Sequence, residues 1–117
     1  GVLASVEYGV GVLKVPLVVV IGHDSCGAGS ATIDALDSGL VPTGFLRDLV
    51  ERVTPSVLNA RRLGADDVDG VEAEHVRQTA RLLVERCASL ADALQAGRSA
   101  VVGCTYALAE GRVRRVG

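Results

Sequence analysis

The sequence of 117 residues contains no methionine, not even at position 1. A complete reading frame starts with Met unless it is processed. The chain instead opens on Gly1-Val2-Leu3, which already follows a helical pattern and has no cap. We therefore expect an N-terminal portion of the protein to be absent from this chain.

Three further features are scarce: net charge, long apolar segments and cysteine. The net charge of −2 and the pI near 5.6 give no electrostatic reason to expect nucleic-acid binding. There is neither a long apolar run nor a secretory signal pattern, so we predict a soluble protein without membrane association. Three unevenly spaced cysteines do not form a disulfide framework, which favours a reducing, cytoplasmic location.

Hydrophobic residues make up 49% of the chain, enough to predict one small domain over residues 1–117 with a real core. Residues 17–21 form an unbroken, mostly β-branched apolar run, typical of a strand buried on both faces in a parallel sheet. Residues 100–106 predict a second such strand. Two strands alone cannot form a stable, doubly covered sheet, which again suggests that strands are missing.

The spacing of apolar residues predicts four or five helices around these strands. The predicted helices cover residues 1–14, 28–38, 44–63 (one helix kinked at Pro55 or two helices, with Thr54 capping the second) and 71–96. A short, charged strand at 112–116 should lie antiparallel at an edge. The predicted fold class is α/β: a three-layer-like parallel sheet flanked by helices, incomplete in this chain, with two parallel strands and an antiparallel C-terminal strand.

A sharp turn follows the first predicted strand and carries His23 and Cys26 in an H-x-x-C spacing. Imidazole nitrogen and thiolate sulfur suit a borderline-soft cation, most simply Zn²⁺. Cys26 would also lie in the first turn of the next helix, where the helix dipole favours the thiolate. The alternative is structural: His23 is a loop histidine and Cys26 a small buried residue.

The segment around this turn resembles the second metal motif of the β-class carbonic anhydrases. The resemblance rests on Gly22-His23-Asp24-Ser25-Cys26-Gly27-Ala28 with the Val-rich strand before it, on residues 5–10, and on residues 101–113. It implies a zinc lyase (carbonate dehydratase) that reversibly hydrates carbon dioxide to bicarbonate and a proton, and that forms homodimers or higher homo-oligomers. It further implies that His23 and Cys26 bind the zinc, and that the backbone N–H of Gly27 donates to bound bicarbonate.

The family's third zinc ligand comes from a C-x-D-x-R motif, which also supplies an Asp–Arg pair. This chain has no such motif, because neither Cys26, Cys87 nor Cys104 is followed by x-Asp-x-Arg. We therefore expect no catalytic residue here, and a fragment that is inactive and poorly soluble alone.

Five other residues are considered for the site and assigned structural roles. Cys87 and Cys104 are interpreted as core thiols and His75 as a partly exposed histidine on the long helix. Asp24 is interpreted as a solvent-facing turn carboxylate in preference to a ligand or an acceptor for His23. Tyr106 matches a tyrosine of a noncatalytic bicarbonate pocket in some family members, but packing at the strand end is the preferred reading.

Two alternatives to the enzyme stay open. The first is a catalytically dead homologue that keeps the fold as a structural partner; an upstream C-x-D-x-R sequence would argue against it. The second is a noncatalytic anion- or nucleotide-binding module with Gly22, Gly27 and Gly29 as a phosphate loop. The spacing of these glycines fits neither G-x-G-x-x-G nor a P-loop.

Overall fold

The computed structural model describes residues 1–24, 27–65 and 67–117. Within these residues the chain forms five helices and three strands. The helices are α1 (Val2–Gly11), α2 (Gly27–Ser38), α3 (Phe45–Arg62), α4 (Val68–Arg86) and α5 (Ala88–Gln95). The strands are β1 (Leu17–His23), β2 (Ala100–Ala107) and β3 (Arg112–Arg115). None of the helices in the described part of the chain is both long enough and apolar enough to cross a membrane.

The three strands form one mixed sheet in the order β1-β2-β3. Strands β1 and β2 are parallel, with Leu17 opposite Ala100 and His23 opposite Tyr106. Strand β3 returns antiparallel to β2, and all four of its residues are exposed, as expected of a charged edge strand. The predicted α/β fold class, with two parallel strands and a short antiparallel third, is confirmed.

The two faces of β1 differ in burial. Val18 and Val20 pack against a cluster formed by α1, α4 and α5. On the opposite face Leu17, Val19 and Ile21 are 50%, 44% and 61% exposed. The prediction that this strand is buried on both faces is therefore wrong for this chain, because its described helices cover only one side of the strand.

The predicted long helix over residues 71–96 is two helices. Helix α4 begins earlier, at Val68, because the Asp67 side chain accepts a hydrogen bond from the Gly70 N–H at 2.9 Å and caps the first turn. At Cys87 the backbone is extended (φ −113°, ψ 95°) and separates α4 from α5. No glycine or proline marks this break, and the apolar stripe continues across it.

Helix α3 runs through Pro55 as a single element, so the two-helix alternative is wrong. The Thr54 hydroxyl does not cap a second helix; it donates to the Val50 carbonyl one turn earlier, at 2.6 Å. Helix α1 ends at Gly11, earlier than predicted, and Lys14 then adopts a left-handed conformation (φ 59°) before β1.

Cys87 is fully buried with Leu83 and Leu90 in the cluster beneath β1, which confirms it as a core thiol. Burial, with a smaller contribution from the charge of Glu7, raises the pKa of the Cys87 thiol above its ordinary value of 9.0. A second cluster, around Val53, Val57 and Val71, holds α3 against α4.

Candidate metal centre

His23 is the last residue of β1, and it lies directly opposite Tyr106 near the end of β2. Helix α2 begins four residues later, at Gly27. His23 thus lies where the carboxyl ends of two parallel strands meet, which is where open α/β sheets place their ligands.

A hydrogen bond to the backbone selects one tautomer of the His23 ring. Its Nδ1 lies 2.8 Å from the carbonyl oxygen of Asp24. A carbonyl oxygen can only accept, so Nδ1 carries the proton in the neutral ring and Nε2 keeps a free lone pair. Metal-binding histidines commonly use this arrangement, with one ring nitrogen donating to the protein and the other facing the ion. The side chain is exposed, so Nε2 is accessible.

Cys26, the second predicted ligand, lies outside the described residues, as does Ser25. Among residues 1–24, 27–65 and 67–117, no group of three or more His, Cys, Asp or Glu side chains is arranged to hold a metal ion. The donor state of His23 fits a zinc ligand, whereas a shared ion between His23 and Cys26 stays a prediction.

Gly27 is the first residue of α2 and is exposed. A Cβ built on it would meet no other atom within 4 Å, so the space beside its backbone is open. The N–H groups in the first turn of a helix lack intrahelical acceptors and are suited to bind an anion. A bicarbonate contact at Gly27 is compatible with this position and stays a prediction.

Asp24 does more than face the solvent. Its backbone N–H donates to the Tyr106 carbonyl at 2.9 Å, and its Oδ1 accepts from the Leu108 N–H at 3.0 Å. These two bonds fasten the turn after His23 to the start of the β2–β3 hairpin. The sequence carries no signal for this contact, because the bonded partners are 84 residues apart.

Three of the remaining candidates do not join the site. Cys87 is in the core and Cys104 is buried in β2; both are free thiols. The His75 Nδ1 is 2.9 Å from the Ser56 hydroxyl oxygen, whose proton is given to Gln78 Oε1, also at 2.9 Å. His75 therefore donates to Ser56 and ties α4 to α3. Tyr106 is half-buried at the strand end, opposite His23.

A family model described as carbonic anhydrase matches residues 1–113. A carbonic anhydrase of Mycolicibacterium smegmatis is 59% identical over 112 residues, which are 96% of this chain and 54% of that protein. Carbonic anhydrase 2 of Mycobacterium tuberculosis is 50% identical over 111 residues, 95% of this chain and 54% of that protein. The chain thus spans about half the length of the curated relatives it matches.

Solved structures show the same fold. The β-carbonic anhydrase CcaA superposes with a TM-score of 0.76 at 24% identity, over 98% of this chain and 53% of that one. A tetrameric β-carbonic anhydrase from Sordaria macrospora superposes with a TM-score of 0.73 at 24% identity, over 99% of this chain and 59% of that one.

Proposed function

The chain belongs to the β-class carbonic anhydrase family, and from this premise we propose that its protein catalyses the zinc-dependent, reversible hydration of carbon dioxide to bicarbonate and a proton. The observation that carries the proposal is the state of His23. It ends a strand beside a helix N-terminus, and its Nδ1 is committed to a backbone carbonyl, so Nε2 is left to bind a metal.

In this proposal His23 Nε2 and the Cys26 thiolate hold the zinc together with a third ligand. When bound, the zinc supplies a Lewis acid that lowers the pKa of water, so that a hydroxide nucleophile is available near neutral pH. The third ligand and the Asp–Arg pair are expected outside this chain, so the 117 residues alone are proposed to be inactive.

The residues of this chain then have separate tasks. Asp24 holds the turn against the β2–β3 hairpin and, through its carbonyl, fixes the orientation and tautomer of His23. The Gly27 N–H at the start of α2 is proposed to bind the bicarbonate product. Both tasks need only backbone groups, apart from the Asp24 carboxylate.

We also propose that the protein assembles into a homo-oligomer, with support from the solved relative that is described as a tetramer. An intracellular, reducing location stays part of the proposal and is supported by the free thiols of Cys87 and Cys104.

The test is metal analysis and stopped-flow carbon dioxide hydration on the natural full-length protein. We expect about one zinc per chain and hydration activity, both lost in His23→Ala and in Cys26→Ser. His75→Ala is the matched control, because His75 bonds to Ser56 on the neighbouring helix; it should keep its zinc.

Each other outcome has a definite meaning. Zinc that is retained in both ligand variants would refute the metal site. Zinc binding without hydration activity would identify the catalytically dead homologue instead. Phosphate or nucleotide binding without zinc would favour the noncatalytic module.

A further inference from the structure

Glu72, in the first turns of α4, has a buried side chain whose carboxylate has no hydrogen-bond or ion-pair partner among the described residues. Its residue surface is only 8% exposed, and none of the described residues donates a hydrogen bond or forms an ion pair with it. The side chain lies against Gly22 of β1, in space that any side chain at position 22 would fill. A buried carboxylate that lacks donors costs free energy, so this group calls for a partner.

The Glu72 carboxylate opens into a cavity of about 500 Å³ between the start of α4 and the β2–β3 hairpin. Glu72 lines this cavity, so a ligand in the cavity can contact its side chain. The charged side chains lining the cavity are Asp24, Asp69, Glu72, Glu110, Arg112 and Arg114. Four carboxylates against two guanidinium groups leave a net charge of −2, which favours a cation.

The same helix shows how this fold neutralises a buried glutamate. Glu74, two residues further along, is only 4% exposed, and its carboxylate oxygens lie 3.2 Å from Arg77 and 3.0 Å from Arg81. Two guanidinium groups therefore serve Glu74, whereas Glu72 has none. The contrast between these two buried carboxylates indicates that Glu72 lacks a guanidinium partner of the kind that Glu74 has.

A guanidinium group suits this site better than a metal ion or an ammonium group. The described residues offer no group of three ligands for a metal. A planar guanidinium can donate to both oxygens of a carboxylate at once, and it is less strongly hydrated than an ammonium, so it loses less on entering a cavity.

We propose that Glu72 is the anchor of a binding site for a guanidinium group from outside the described residues. The group comes either from a small guanidine or from an arginine of another polypeptide segment. Arg112 and Arg114 of β3 line the same cavity but form no ion pair with Glu72 among the described residues. The inference concerns a cation, so it does not rest on the zinc chemistry proposed above.

The test titrates methylguanidinium into the 117-residue chain, kept in solution as a fusion to a soluble carrier protein, and follows the backbone amides around Gly22 by NMR. We expect saturable binding that is at least about tenfold weaker in Glu72→Gln, because the charge-assisted pair is lost while the side-chain size is kept. Glu85→Gln is the matched control: the same substitution at an exposed position of α4, where binding should not change. Methylammonium should bind more weakly than methylguanidinium.

Two results would overturn the proposal: equal binding by the wild type and Glu72→Gln, or binding that appears only after Arg112 and Arg114 are both changed to Gln. The second result would mean that the chain's own arginines serve Glu72. Unfolding curves check that Glu72→Gln still folds.

The same titration on the natural full-length protein separates the two sources. Retained methylguanidinium binding identifies a small guanidine as the ligand. If the full-length protein does not bind methylguanidinium and Glu72→Gln lowers its stability, the natural partner of Glu72 is an arginine of the protein itself.

Discussion

The two faces of strand β1 are made of the same residue types and have opposite surroundings. Val18 and Val20 pack on a cluster that contains Leu90 and Cys87. Leu17, Val19 and Ile21, which alternate with them, remain about half exposed. The comparison teaches that an unbroken apolar run indicates that both faces of a strand are suited to burial, whereas the described residues of this chain cover only one face of β1.

His23, the candidate metal ligand, also belongs to one of these two faces, because side chains alternate between the faces along β1. Gly22 faces α4 and the buried Glu72, so His23 and its neighbour Tyr106 in the register belong to the open face, with Leu17, Val19 and Ile21. In the proposed site, the other zinc ligands would approach His23 from this side of the sheet.

The largest expected difference between the two faces is in leucine truncation. Leu90→Ala, beneath the covered face, should lower the free energy of unfolding by about 2–5 kcal/mol, because it leaves a cavity in a fully buried site. Leu17→Ala, on the open face, should lower it by about 1 kcal/mol or less. Urea unfolding followed by circular dichroism measures both. Similar losses for the two variants would show that the open face is covered in solution.

Replacing Val20 or Val19 by threonine tests more finely which face of β1 is covered. Val20→Thr keeps the shape of the side chain but buries a polar group, and should cost about 1–3 kcal/mol of unfolding free energy. Val19→Thr places the same hydroxyl in solvent and should change stability by less than about 0.5 kcal/mol. A larger cost at Val19 than at Val20, in the same urea experiment, would reverse the assignment of the faces.

The smallest effect concerns pH. The pKa of the Cys87 thiol is raised in the folded state, so the unfolded chain ionises this thiol first as the pH rises. The stabilising contribution is complete below pH 9 and is lost as the pH rises through the folded pKa, with a slope of at most about 1.4 kcal/mol per pH unit. Urea unfolding at pH 8 and pH 10 should show a steeper loss for the wild type than for Cys87→Ala. Equal losses would contradict the assignment.

Much of the local structure could be predicted. Gly39 and Gly97 end α2 and α5 with positive φ, as expected of helix stops. The break at Cys87 could not be predicted, since the residues beside it keep the apolar stripe of one continuous helix. At Pro55 the sequence left one kinked helix or two helices open, and α3 is a single helix in which Val53 and Val57, on either side of the proline, pack in one buried cluster.

The candidate site divides in the same way. Local spacing identifies His23 but predicts it in the turn after the strand, whereas the structure has it as the last residue of β1. The link from Asp24 to Leu108 and the burial of Glu72 both depend on contacts between distant segments. The local pattern of residues along the chain predicts neither the Asp24–Leu108 link nor the burial of Glu72.

By itself the sequence determined the order of helices and strands, the H-x-x-C turn and the family, because these depend on residues close together along the chain. Only the tertiary structure decided which face of β1 is covered, what holds Asp24 in place after His23, and that Glu72 is buried with no partner among the described residues. The physical reason is that backbone geometry sets local periodicity, whereas burial and pairing depend on which segments pack together in space.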